Sequence, residues 1–66
     1  MNNPTTPQKP HAIVRSPGGF LEKIVSRHST RFEAETQIAQ LPGITYRESP
    51  SEVWADGYCY AVCYRP

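Results

Sequence analysis

Glu52-Val53-Trp54-Ala55-Asp56-Gly57-Tyr58-Cys59-Tyr60-Ala61-Val62-Cys63-Tyr64 is the stretch on which the fold turns. Asp56-Gly57 is a strong hairpin signal, because a type I′ turn needs positive φ at both central residues. With that loop, Ala55 pairs with Tyr58, Trp54 with Cys59 and Val53 with Tyr60. Side chains alternate along a strand, so Tyr58, Tyr60, Val62 and Tyr64 share one face while Cys59, Ala61 and Cys63 share the other. Small residues suit a face under a closely packed helix. This predicts that Cys59 and Cys63 meet the helix and that the tyrosines occupy the open face. The opposite assignment, with the tyrosines supplying bulk to a core short of large residues, is the competing reading.

Upstream, Ile44-Thr45-Tyr46-Arg47-Glu48 alternates as a half-buried strand does. Ser49-Pro50-Ser51 interrupts it, and Pro50, having no N–H to donate, places this point at an edge or in a bulge. Glu52 to Ala55 then resumes the strand. Thr30-Arg31-Phe32-Glu33 matches a capping box, the run to Leu41 is rich in helix formers, and Pro42-Gly43 stops it. Ala34, Ile38 and Leu41 form a narrow apolar stripe, with Phe32 on nearly the opposite side and expected to fold over the helix start onto a neighbouring loop.

Ala12-Ile13-Val14-Arg15 reads as a strand and Ser16-Pro17-Gly18-Gly19 as a turn. Phe20 to Ser26 returns as a second strand with apolar groups on both faces, hence interior or bulged. Residues 1–10, punctuated by Pro4, Pro7 and Pro10, read as a flexible tail that buries nothing. The expected architecture is α+β and two-layered: one helix (about 30–41) on a four-stranded, mainly antiparallel sheet, in the order ββαββ, with residues 11–66 forming a single domain.

At 66 residues the chain holds one small core; a domain of this size buries only about 60% of the surface its unfolded form exposes. The net charge of +1 argues against a non-specific nucleic-acid binder. The charge is uneven, residues 1–33 carrying Lys9, Arg15, Lys23, Arg27 and Arg31 against Glu22 and Glu33, and residues 34–66 carrying an acidic excess. No stretch approaches the ~20 apolar residues of a membrane span. The N-terminus lacks the apolar centre of a signal peptide, so the expected location is the cytoplasm.

Cys59 and Cys63 lie about 13 Å apart if the strand is regular, at ~3.3 Å per residue. That is too far for a disulfide and poor for one tetrahedral zinc, even with His11 and His28 available. They read as small core thiols, and no metal or cofactor is expected. Catalysis is not expected either. His28 beside Ser26 and Ser29 is not a triad, Glu33 and Glu35 point to different sides of the helix, and the domain is too thin to exclude water.

Two surfaces remain as candidates. Tyr58, Tyr60 and Tyr64, with Trp54 and Arg47 as neighbours, suit a protein interface, including self-association, because tyrosine gives large contact area at low entropic cost. The same tyrosines with Lys23, Arg27 and Arg31 would serve as a stacking platform for single-stranded nucleic acid. Separately, Arg27, His28 and Arg31 at the helix start are candidates for holding an anion, with ordinary capping and solvated arginines as the alternative. The expected function is a non-enzymatic, protein-binding adaptor, inhibitor or accessory regulator, of the kind bacteria and phages encode as short chains.

Overall fold

The computed structural model describes residues 9–66. The elements run β1 (His11–Arg15), β2 (Lys23–His28), α1 (Arg31–Ile38), β3 (Ile44–Ser49), β4 (Glu52–Ala55) and β5 (Tyr58–Tyr64). The fold is α+β, one helix on an antiparallel sheet. The sheet has five strands, not four, in the spatial order β2-β1-β5-β4-β3. The difference lies at Ser49-Pro50-Ser51, which reverses the chain instead of interrupting a strand: Ser49 pairs with Glu52 and Arg47 with Val53. Proline presets φ for a tight turn as readily as it weakens a ladder, and here the turn prevails. An N-terminal hairpin and a C-terminal three-strand meander are joined by α1 and meet where β5 pairs with β1.

β1 is an interior strand, with Ala12, Ile13 and Val14 buried on both its faces. The expectation that Phe20 to Ser26 forms an interior strand is corrected. β2 lies at the sheet edge and begins at Lys23, leaving Phe20 and Leu21 exposed in the preceding loop. The expected bulge is present, since Ile13 pairs with Ser26 and Val14 with Ile24, so Val25 has no partner.

The Thr30 half of the capping box forms as the sequence implies, while Glu33 reaches back one residue further than expected, to Ser29 instead of the Thr30 amide. Thr30 Oγ1 accepts from the Glu33 amide at 3.1 Å, and the Glu33 carboxylate accepts from the Ser29 amide at 3.2 Å. The regular helix is shorter than 30–41, because Gln40 and Leu41 donate to carbonyls only three residues back in a tightened last turn. Gly43 follows with φ +76°, where any other residue is strained, and a Cβ there would sit 2.5 Å from the Asp56 carboxylate and have to displace it. Phe32 does not fold over the helix start; it stands 78% exposed. An eight-residue helix docked through Ala34 and Ile38 leaves its opposite side to solvent.

Ile13, Ala34, Ile38 and Val53 form the core, with Leu41, Ile44, Tyr60 and Val62 packed against it. Lys9 and Pro10, the end of the expected tail, are held to the sheet: the Pro10 carbonyl accepts from the Arg65 amide at 2.6 Å, and the Lys9 carbonyl from Arg27 at 3.3 Å. The remainder of that tail, residues 1–8, lies outside the described residues.

Candidate functional site

The register of the sheet fixes which side chains face which way. Ile13 pairs with Val62 and Val53 with Tyr60, and directly opposed residues share a face. Tyr58, Tyr60, Val62 and Tyr64 therefore lie on the helix side, with Tyr60 and Val62 packed against the core. The expectation that the cysteines meet Ile38 and Leu41 is reversed. The reason is volume. Ala34 and one isoleucine from a two-turn helix cannot fill the space beneath it, so the sheet supplies the bulk, as close packing requires.

Tyr58 and Tyr64, the first and last residues of β5, remain exposed. The Arg15 guanidinium lies 4.7 Å from the centre of the Tyr58 ring. Tyr64 is 65% exposed and meets His11 edge-on at 5.5 Å. The three tyrosines thus form no common open patch. Arg47, paired with Val53, is also on the helix side. Of the five residues singled out for partner binding, Trp54 alone lies on the uncovered face.

That face is built from Cys59, Ala61 and Cys63 along β5, with Trp54 and Glu52 beside them on β4. Tyr46 of the edge strand β3 pairs with Trp54. Trp54 is 43% and Tyr46 56% exposed. Tyr46 is the residue that sequence reasoning missed. Its partnership with Trp54 follows only once Ser49 to Ser51 is read as a reversal.

The β1 side of the same face is closed. Arg27, opposite Ala12, reaches across to donate to the Arg65 carbonyl at 2.6 Å. The Arg65 guanidinium in turn meets Glu22 at 2.6 and 3.2 Å, tying the β1–β2 loop to the end of β5. Glu22 also accepts from the Gly18 amide at 2.7 Å. The Arg65 hydrogen bond, reinforced by that amide, holds the Glu22 carboxyl down at about 2.

The cysteines are free thiols and only partly buried. Burial, then the hydrogen bond to Glu52 at 3.3 Å and the charges of Glu52 and Glu48, push the Cys59 thiol upward in pKa. His11 and His28 pair with each other on the helix side, across the sheet from both cysteines. Among the described residues, no three His, Cys, Asp or Glu side chains gather, and no helix is long and apolar enough to cross a membrane.

Arg27, His28 and Arg31 do not converge on an anion. Arg27 points to the uncovered face and is held by carbonyls, His28 shares a hydrogen bond with Ser26 Oγ at 2.9 Å, and Arg31 meets Glu35 at 2.9 Å and Ser51 at 3.0 Å. Thr30 already occupies the Glu33 amide at the helix start, and the Glu33 carboxylate the Ser29 amide just before it. Lys23 and Arg31 lie on the helix side, so the basic residues form no continuous track with Arg27.

No family model matches the chain, and no curated protein or solved structure matches it either.

Proposed function

We propose that this chain is a small, non-enzymatic protein-binding domain, an adaptor, inhibitor or accessory regulator, whose docking surface is the uncovered side of β5, β4 and β3. The observation that carries the reading is the Tyr46–Trp54 pair. Two large aromatics stand half-exposed side by side, next to a floor of Cys59, Ala61 and Cys63, on a face whose buried side chains, Ala12 and Val14, lie at β1 and leave the β4–β3 side open. Large aromatics beside a low floor present a ridge and a hollow, a shape that a partner's apolar side chains can fill. Trp54 keeps the role proposed for it from sequence. Tyr46 replaces the tyrosines of β5, of which Tyr60 is needed by the core.

Glu52 and Glu48 set the partner's chemistry. The Glu52 carboxylate lies 3.3 Å from Cys59 Sγ and both glutamates push that thiol upward, so negative charge borders the floor on its β4 side. Such a face repels phosphates and suits a protein carrying basic residues around an apolar patch. That argues against the single-stranded nucleic-acid alternative.

Trp54→Ala and Tyr46→Ser, singly and together, test the reading. Because both side chains are outside the core, thermal unfolding should stay within about 2–4 °C of the parent, consistent with surface changes within about 0.5 kcal/mol. A partner that co-purifies with the parent chain, or self-association seen by sedimentation, should be lost. Retention of the same interaction by the double variant would sink the proposal. So would oligonucleotide binding, abolished by salt, through these two aromatics.

A further inference from the structure

On the helix side, beyond the C-terminal end of α1, the sheet carries a cavity of about 320 Å³. Tyr60 contributes to it from the sheet, Leu41 and Val25 add apolar surface, and Arg15, Lys23 and Asp56 bring charge. The size falls at the low end of small-ligand pockets, roughly 300–1,000 Å³.

Arg15 and Lys23 are the unusual feature. They are directly opposed on β1 and β2, and like charges in that relation repel. Neither has a carboxylate within ion-pair distance; among the described residues the two ion pairs are Arg31–Glu35 and Arg65–Glu22. Arg15 is nevertheless held in place. Its guanidinium stacks on Tyr58 at 4.7 Å and donates weakly to the Leu21 carbonyl at 3.5 Å, while its buried Nε has no hydrogen-bond partner. Two cations are thus brought together beside a cavity of mixed lining, with Tyr60, Val25 and Leu41 as its apolar wall, and among the described residues neither cation makes an ion pair.

We propose that this cavity binds a carboxylate attached to an apolar or aromatic body, with the carboxylate against Arg15 and Lys23 and the body over Tyr60 between Val25 and Leu41. An anion placed there relieves the repulsion between the two cations, and the planar guanidinium matches a carboxylate's two oxygens. Asp56, also lining the cavity, disfavours a second negative charge and so fixes which end of the ligand enters where. The carboxylate can belong to a free small molecule or to the C-terminus of another chain. This site is on the opposite side of the sheet from Trp54 and Tyr46 and stands or falls independently of them.

The test is titration of the isotope-labelled chain with benzoate, followed by amide chemical shifts. Benzoate should give saturable shifts at Arg15, Lys23, Val25 and Tyr60 and leave Trp54 and Tyr46 unmoved. Benzyl alcohol, which keeps the ring and lacks the carboxylate, should give none. Lys23→Glu should weaken benzoate at least tenfold and Lys23→Gln by less; Lys23 is exposed on an edge strand, so retained spectral dispersion is expected in both. An N-acetylated tripeptide ending in Phe, beside its C-terminal amide, identifies the source. Tighter binding of the free acid than of benzoate assigns the site to a chain terminus, and weaker binding assigns it to a small molecule. Shifts that never saturate, equal binding of benzyl alcohol, or unchanged benzoate affinity in a folded Lys23→Glu variant would overturn the assignment.

Discussion

Glu22 is the residue through which acid reaches this fold. Its carboxyl is lowered from 4.5 to about 2, first by the Arg65 hydrogen bond and then by the Gly18 amide. A carboxyl whose folded pKa lies below its unfolded value stabilises the fold above the unfolded pKa, and that contribution fades as pH falls through the folded one. The loop-to-terminus tie should therefore hold at neutral pH and loosen between about pH 4.5 and 2. Carboxyl-carbon NMR of Glu22 should show the low midpoint, and Arg65→Gln should bring it back towards the ordinary value while changing stability at neutral pH little, as expected of an exposed pair. An unmoved midpoint in Arg65→Gln would assign the shift to the Gly18 amide. Glu35 is lowered in the same sense by Ser51 and then Arg31. Neither tie was legible in the sequence, since the members of each are brought together only by the sheet: Glu22 with Arg65, and Glu35 with Ser51.

At the scale of elements, what could be read was what local chemistry dictates. The Thr30–Glu33 cap is a four-residue matter, and it forms as read. Thr30→Ala should cost about 1 kcal/mol in urea unfolding; a loss near zero would mean that Ser29 or water caps equally well. The Asp56-Gly57 hairpin is equally local, and the pairs Ala55–Tyr58, Trp54–Cys59 and Val53–Tyr60 all occur, with φ positive at both loop residues. Ser49-Pro50-Ser51 was ambiguous in principle, because proline is compatible with a strand break and with a turn, and only the tertiary pairing of Arg47 with Val53 decides. The side taken by the tyrosines was likewise beyond local reading. Period-two alternation sorts side chains into two faces without saying which one the helix covers. That choice is made by the volume the helix fails to supply.

For the whole molecule, the consequence is a core with little redundancy. Its largest fully buried side chains are Ile13, Ile38, Val14 and Val53, and one short helix closes it. Stability of roughly 0.05–0.15 kcal/mol per residue puts a chain of this length at about 3–10 kcal/mol. Truncating Ile38 to alanine removes methylenes from the centre of the core and should cost about 2–5 kcal/mol, a large share of that total. Phe32 is larger and on the same helix, yet it is solvent-exposed, and Phe32→Ala should change stability by no more than about 0.5 kcal/mol. Chemical denaturation of the two variants side by side checks the docking of the helix itself. A large loss for Phe32→Ala with a small one for Ile38→Ala would mean that the opposite face of α1 is packed. The helix would then be turned about its own axis on the sheet, with Phe32 in the place that Ile38 holds in the core.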